Sequence, residues 1–218
     1  FVGGSMPLVL GTTSSDLVVR RNPDDTAQLQ IGFLQGGETT LLPDSSLGGQ
    51  LGGLMGFLNE DLADTRDLLG RMALATASII NEQHALGVDL LGATGADFFV
   101  SPAAAQGLPA VANTGSAEMR ARVSDATALM ASSYELRVEA GGVSVLRLSD
   151  GKTDNFTAPV AWPIEIDGLS FEIDSGTAAA GDVFRFKPYE GAARDLQVAL
   201  TSPVTLWAVL KSVAYAWR

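Results

Sequence analysis

Few side chains in this sequence have a type and spacing that could carry out chemistry. The one histidine, His84, lies near the end of a predicted helix, where an imidazole is usually solvated or stabilised by the helix dipole. A Gly-Lys-Thr triplet at Gly151–Thr153 is similar to the end of a phosphate-binding loop. Such a loop also requires a glycine five positions before Gly151, and that position is Leu146. We therefore expect the triplet to form a turn rather than a nucleotide site.

Three acidic residues, Asp61, Asp64 and Asp67, follow one another at a spacing that places them on roughly one helix face. Calcium loops instead place oxygen ligands at alternate positions around a glycine-bearing turn, so this spacing favours a solvated helix face over a cation site. The chain has no cysteine, which excludes disulfides, thiolate catalysis and cysteine-based metal sites. No catalytic residue, cofactor or metal ion is predicted, and the sequence favours a structural protein over an enzyme.

The composition also limits the classes of partner. The 218 residues include 25 acidic and 14 basic side chains, for a net charge of −11. Such a chain repels nucleic acid and anionic membrane surfaces, so neither is an expected partner. No apolar run approaches the length of about 20 residues that a membrane-spanning helix needs, and no signal peptide opens the sequence. Because the first residue is Phe1 rather than Met, we interpret the chain as a fragment of a longer protein.

The first part of the chain, residues 1–116, is predicted to be a mixed β/α domain. Short strands are expected within residues 5–42, where Leu29, Ile31 and Phe33 alternate onto one face, as in a half-buried strand. Clusters of Gly, Asn, Asp and Pro separate these predicted strands and indicate turns between them.

A long helical pattern follows the predicted strands. Apolar residues recur every three or four positions over about residues 46–86, which predicts one helix or a pair of helices. A charged stretch interrupts the pattern, so a break or kink is expected near residues 59–64. Gly87 stands where a helix end is expected. Residues 88–116 are rich in glycine, alanine and proline, which predicts irregular structure before the next domain.

Glycines are unusually frequent at the start of the predicted helix, and each costs up to about 1 kcal/mol relative to alanine. Small residues at this spacing let another backbone approach closely. They therefore predict either a close helix crossing within the domain or a helix contact between subunits. The candidate subunit-packing residues are Gly48, Gly49, Gly52, Gly53 and Gly56. We expect a leucine at Gly52 to impair assembly and to leave folding of the monomer largely intact.

The second part, residues 117–202, is predicted to be an all-β domain. Asp150-Gly151 and Asp167-Gly168 are strong signals for tight turns between strands. About five strands in about 70 residues predict a small sandwich or a partly open barrel. The fold class is therefore α+β: a domain with short strands and a long helix pair, followed by a small all-β domain. Residues 203–218 form a terminal apolar segment that is predicted to be helical.

Several motifs together resemble one protein family. Glycine-rich Gly48–Leu54, the run Leu69–Leu74 and above all Ile80–Leu90, which contains NEQHALGVDL, are similar to the first flagellar hook-associated protein, FlgK. Weaker similarity continues through Gly92–Phe99, Tyr134–Gly151, Ile166–Leu169 and Ala180–Phe184. The resemblance covers roughly residues 5–200, and nothing after about residue 202 resembles the family.

The resemblance implies an adaptor subunit at the junction between the hook and the filament of the bacterial flagellum, outside the cell. It implies export through the flagellar type III apparatus without a cleaved signal peptide. The implied partners are copies of the protein in a ring, the hook protein and the second junction protein. We expect this sequence to lack the family's terminal helical regions, and we therefore expect the fragment itself to be monomeric.

Other classes of protein stay open at this point. A different axial flagellar protein, such as the second junction protein or a flagellin, is an alternative, although NEQHALGVDL favours the first junction protein. A secreted adhesin or carbohydrate-binding module would instead predict a concave aromatic strip on the β domain. Trp162 is the one tryptophan of that domain, and its neighbour Pro163 indicates a loop anchor.

Overall fold

A computed structural model describes residues 9–10, 13–14, 16–23, 28–35, 37–43, 46–88, 92, 94–100 and 104–199. The first part begins with a short hairpin and continues with a three-stranded antiparallel sheet in sequential order. The strands are β1 (Val9–Leu10), β2 (Thr13–Ser14), β3 (Asp16–Arg21), β4 (Leu29–Gln35) and β5 (Glu38–Leu41). The strands predicted within residues 5–42 are confirmed for the described residues, and the helix predicted over 203–218 lies outside them.

The long helix consists of two α-helices joined by a π turn. The elements are α1 (Gly49–Gly56), the π turn (Phe57–Asp61) and α2 (Leu62–Ala85). At the end of the π turn, the Leu62 N–H bonds to the Phe57 carbonyl, five residues earlier. The break expected near residues 59–64 therefore takes the form of a π turn in a continuous helix.

A small core holds α1 against the three-stranded sheet. Met55 is the one buried side chain of α1. It belongs to a cluster with Ile31 and Phe33 of β4 and with Leu42 and Leu47. The side chains of Ile31 and Phe33, whose alternating positions predicted a half-buried strand, therefore point into this core.

The second part is a sandwich of two antiparallel sheets, as the sequence predicted. One sheet has the order β11-β10-β9-β14-β7 and the other the order β12-β13-β8-β6. The strands are β6 (Ala105–Gln106), β7 (Leu108–Pro109), β8 (Glu118–Val123), β9 (Tyr134–Glu139), β10 (Gly142–Arg147), β11 (Thr153–Thr157), β12 (Ile164–Ile166), β13 (Leu169–Ser175) and β14 (Val183–Phe186).

Residues 105–109 were expected to be irregular, but they form two short strands at the edges of the sandwich. β6 pairs with β8, and β7 pairs with β14. Strands of two residues are too short to show an alternating pattern, and Pro109 is tolerated because β7 is an edge strand. Gly107 lies between them, where a Cβ would overlap the Phe186 ring.

Alternate residues of both sheets fill one core. Tyr134, Phe171 and Phe186 are fully buried and meet edge to face, with ring centroids 5.7 Å apart for the first pair and 5.0 Å for the second. Such contacts add to the free energy gained by burying the rings. Leu74 of α2 belongs to the same cluster, so the helix takes part in the core of the sandwich.

The predicted turns place the charged groups of the sandwich. Asp167 and Gly168 both have positive φ, as a tight hairpin turn between β12 and β13 requires. The turn points the Asp167 carboxylate at Arg147, whose Nη1 donates to both oxygens at 3.0 and 2.9 Å. The Tyr134 hydroxyl also donates to Asp167, at 3.0 Å. The Asp150 turn supplies a second carboxylate to Arg147, at 2.6 Å.

A buried acid, Asp182, fastens the start of β14 to the loop before β8. Its Oδ1 accepts the amides of Thr114 and Gly115 at 2.8 and 3.2 Å, and its Oδ2 accepts the amide of Ala179 at 2.8 Å. Burial acts to raise the pKa of Asp182, but the three amides together hold it below its usual range. The carboxylate is therefore charged and fully bonded inside the fold.

We expect Asp182→Ala to reduce the free energy of unfolding by roughly 2–4 kcal/mol, because it leaves three backbone amides around a part-buried site without an acceptor. Asp182→Asn should cost less, since its one carbonyl oxygen can still accept two of them. Chemical denaturation followed by circular dichroism measures both. Asp154→Ala, which removes an exposed pair with Lys152, is the control and should change stability little. Equal stability of the Asp182→Ala and control variants would contradict the assigned role.

Candidate functional site

The face of α2 that contacts the sandwich is made of small and polar residues. Its buried side chains are Asp67, Gly70, Leu74, Ala77 and Asn81, which recur every three or four positions. Gly70 sets the distance, because a Cβ there would overlap the carbonyl oxygen of Tyr189. This contact brings the backbone of α2 directly against the segment that follows β14.

Hydrogen bonds fix α2 to the sandwich near the start of this contact and to the segment before the sandwich near its end. Arg71 donates from Nη1 to the carbonyl of Leu129 at 3.2 Å, and the Ser133 hydroxyl donates to Asp67 at 3.3 Å. Toward the C-terminal end, Asn81 bonds twice to the backbone of Phe99, donating at 2.9 Å and accepting at 2.8 Å. Neither Gly70 nor Asn81 was predicted from the sequence as a contact residue, although an isolated glycine in a helical pattern is a usable signal.

The expectation of a solvated acidic face is wrong for one of its three members. Asp61 and Asp64 are exposed, but Asp67 is buried in the contact with the sandwich. Burial raises the pKa of Asp67 to about 6, and the carboxylates of Asp64 and Glu190 act in the same direction. The hydrogen bond from Ser133 and the ammonium of Lys187 oppose that shift. The helical spacing was right, but it cannot show which face another domain covers.

The opposite face of α2 is apolar and exposed. Met72 is 62% exposed, Leu69 53% and Ile79 52%, which is unusual for large apolar side chains on one helix face. We call this surface the helix seam, and its residues are Leu69, Met72, Thr76, Ile79 and Ile80. The spacing of three and four residues is that of helices that pack along one another.

The candidate glycines of α1 do not form a close crossing with another described segment. No described atom lies within 4 Å of a Cβ built on Gly48, Gly49, Gly53 or Gly56. Gly52 differs, since its Cβ would overlap the carbonyl oxygen of Leu47. A leucine at Gly52 would therefore distort the start of α1, and the expectation that it leaves folding intact is wrong.

Exposed apolar side chains adjoin the open glycines. Leu54 is 60% exposed, Phe57 53% and Leu58 51%. Together with Gly53 and Gly56 they form what we call the α1 patch. Its glycines carry no side chain to keep another backbone away, and its large residues offer apolar surface to a partner.

His84 is a structural residue at the end of α2. Its Nδ1 contacts the carbonyl oxygen of Ala96, and its ring meets Phe98 edge to face at a centroid distance of 6.0 Å. Within the described residues, no three histidine or acidic side chains are grouped so that they could hold a metal ion. None of the described helices is both long enough and apolar enough to cross a membrane.

A long helix fixed by one face to a β-sandwich, with large apolar residues exposed elsewhere, is typical of a domain that assembles with other protein segments. Family models match both parts of the chain: the helical domain of flagellar hook-associated protein FlgK over residues 1–99, and the D2-like domain of flagellar hook-associated protein 1 over residues 109–188.

Individual relatives agree with the family models. Flagellar hook-associated protein 1 of Escherichia coli (strain K12) is 33% identical over 200 residues, which are 89% of this chain and 36% of that protein. The Salmonella typhimurium protein of the same name is 32% identical over 202 residues, which are 89% of this chain and 35% of that protein. The solved structure of the flagellar hook junction protein FlgK from Burkholderia pseudomallei has a TM-score of 0.80 and 34% identity, covering 91% of this chain and 37% of that one.

The chain belongs to the family of flagellar hook-associated protein 1, which confirms the resemblance found in the sequence. It spans little more than a third of the length of these relatives. The α+β fold class is also confirmed, since the fold agrees with that of the Burkholderia pseudomallei protein.

We expect Gly70→Ala to reduce the free energy of unfolding by about 1–3 kcal/mol, because the new methyl group forces α2 away from Tyr189. The loss should appear despite the higher helix propensity of alanine, which is worth up to about 1 kcal/mol. Gly53→Ala is the matched control: it adds a methyl group in open space and should stabilise the protein slightly. Thermal and urea denaturation measure both variants. A neutral or stabilising Gly70→Ala would contradict the close contact.

The raised pKa of Asp67 predicts a pH-dependent stability. Its carboxyl binds a proton more tightly in the folded chain than in the unfolded one, so its burial costs free energy above pH 6. That cost disappears as the pH falls from about 6 to about 4. Asp67→Asn keeps an acceptor for Ser133, and should raise the free energy of unfolding at pH 7.5 by roughly 2–3 kcal/mol. The gain in stability from Asp67→Asn should vanish at pH 4. Gly53→Ala, which changes no charge, is the control, and its effect on stability should be the same at pH 7.5 and at pH 4.

Proposed function

We propose that the chain is part of a structural adaptor between the hook and the filament of the bacterial flagellum, outside the cell. Membership of the hook-associated protein 1 family supports this location. The similar solved structure from Burkholderia pseudomallei is that of a flagellar hook junction protein, which supports it further. The adaptor acts without catalysis and without a cofactor, and is exported by the flagellar type III apparatus without a cleaved signal peptide.

One observation carries a mechanical role: α2 and the sandwich share a single core. Leu74 packs in the sandwich cluster, and Arg71 and Gly70 hold the helix to two separate segments of the sandwich. Asn81 holds it to Phe99, in the segment before the sandwich. A force on the sandwich therefore reaches the helix through packed side chains and hydrogen bonds. An adaptor between two helical tubes requires this kind of coupling.

The α1 patch is the proposed contact with a neighbouring copy of the protein. Gly53 and Gly56 are three residues apart on a helix and have open space in front of them, so a neighbouring backbone can come close. Leu54, Phe57 and Leu58 supply the apolar area that such a contact buries. The hook protein and the second junction protein are the further proposed partners, at the two ends of the ring.

The alternative of an adhesin or carbohydrate-binding module has no support from the sandwich surface. The large hydrophobic residues exposed on described residues 104–199 are aliphatic: Val111, Val123, Met130, Leu148 and Val198. Trp162 packs partly buried against the sandwich core, as a loop anchor does. An aromatic strip for stacking on sugar rings is not found among these residues.

A chimera tests the proposal. The matched region of the Escherichia coli relative is replaced by the corresponding 200 residues of this chain and expressed in cells that lack the native gene. We expect filaments and swimming to be restored. In the same chimera, Gly56→Leu should allow export but impair filament attachment, so that flagellin is released into the medium, while Gly56→Ala should behave as the parent.

Electron microscopy of the flagella and immunoblots of the medium give the readouts. Chimeric protein that is exported and folded, yet leaves hooks without filaments, would contradict the proposed function. Normal filaments with Gly56→Leu would be consistent with the proposed function but would contradict the proposal that the α1 patch is the contact between subunits.

A further inference from the structure

The hydrogen bonds that hold α2 in place are unequal along its length. At the N-terminal end, the Ser133 hydroxyl reaches Asp67 at 3.3 Å and Arg71 reaches a backbone carbonyl of the sandwich at 3.2 Å. Both distances are long for hydrogen bonds of their kind. At the C-terminal end, Asn81 bonds twice to the backbone of the segment before the sandwich, at 2.9 and 2.8 Å. The N-terminal end is therefore held more weakly.

The helix has little other attachment at this weaker end. None of the π-turn residues Phe57–Asp61 is buried, and residues 64–66 of α2 are exposed. Asp67 is the first buried side chain of the helix, and the first large apolar one is Leu74. The start of α2 can therefore move away from the sandwich without taking a fully buried apolar side chain out of the core.

A polar cleft of about 410 Å³ lies beside Asp67. One wall is formed by the π turn and the start of α2, and the other belongs to the sandwich and includes Ser132, Ser133 and Ser149. A cleft of this volume, with polar groups on both walls, has room for several water molecules. Water in the cleft can solvate the Asp67 carboxylate as soon as the contact loosens.

The charged groups around Asp67 do not offset a further negative charge. The helix side supplies Glu60, Asp64 and Arg66, and the strand β14 with the segment after it supplies Arg185, Lys187 and Glu190. Three of these six are carboxylates and three are cations, and the Arg185 guanidinium is already paired with Glu135 at 2.8 Å. The Tyr189 hydroxyl stays neutral, because burial raises its pKa.

Asp67 therefore carries a proton over different pH ranges in the closed and the open contact. Burial raises the pKa of its carboxyl to about 6 in the closed contact, whereas a solvated aspartate has a pKa of about 4. The closed contact thus binds the proton more tightly. Its advantage is complete below about pH 4 and is lost as the pH rises through about 6.

We propose that Asp67 is a pH-responsive latch: when its carboxyl loses the proton, the N-terminal half of α2 separates transiently from the sandwich while the C-terminal half stays in contact. The connection between the sandwich and the first part of the chain is then tighter in acid than at neutral pH. The latch is a property of the folded chain and does not depend on the proposed role in the flagellum.

Hydrogen exchange followed by mass spectrometry tests the latch in the full chain. Rates at pH 4.5 and 7.5 are corrected for the intrinsic exchange of each amide. We expect the corrected exchange of residues 62–72 to be about ten-fold or more faster at pH 7.5, and that of residues 76–86 to change less than about two-fold. Asp67→Asn should abolish the difference in residues 62–72, because it removes the titrating group and keeps an acceptor for Ser133.

Two matched variants serve as controls. Asp154→Asn makes the same substitution at an exposed pair with Lys152 and should keep the full pH response. Asn81→Ala should raise the exchange of residues 76–86 equally at both pH values, because it removes an anchor that does not titrate.

Three results would overturn the proposal. Exchange of residues 62–72 that does not depend on pH would show that the contact does not respond to Asp67. An equal response in residues 76–86 would show that the whole helix opens, and a response that survives in Asp67→Asn would assign the titration to another group.

Discussion

The close approach of α2 to the segment after β14 is the constraint on which the rest of the molecule depends. Because Gly70 has no side chain, the helix backbone reaches Tyr189, and the neighbouring buried positions can then contact the sandwich. A larger residue at this point would separate the two layers by more than a hydrogen bond can span. Arg71 would then lose the Leu129 carbonyl that it binds, and Leu74 would leave the shared core.

This close contact also explains the unusual distribution of apolar residues on the helix. A helix that lies so near its neighbour has room only for small side chains on that face, such as Gly70 and Ala77. Its large residues, such as Met72 and Ile79, are therefore on the side away from the sandwich. The usual assumption that the most apolar face is the buried one fails here, because close packing selects for size as well as for hydrophobicity.

The same constraint separates what the sequence could predict from what it could not. Local features were predictable: the Asp167-Gly168 turn follows from its need for positive φ, and the helix from its period of three to four residues. The family could also be recognised from NEQHALGVDL and the glycine-rich segment. The burial of Asp67 and the two bonds of Asn81 were not predictable, because they depend on residues 66 and 18 positions away along the chain. The α1 glycines remain a prediction as subunit contacts.

The π turn explains how one continuous helix can present two separate surfaces. In an uninterrupted helix, the apolar positions of α1 would extend the stripe formed by Leu69 and Met72. A π turn accommodates an additional residue, and one residue corresponds to about 100° of rotation. The turn at Phe57–Asp61 therefore rotates the α1 patch out of line with the helix seam. A segment that lies along the seam need not cover the patch.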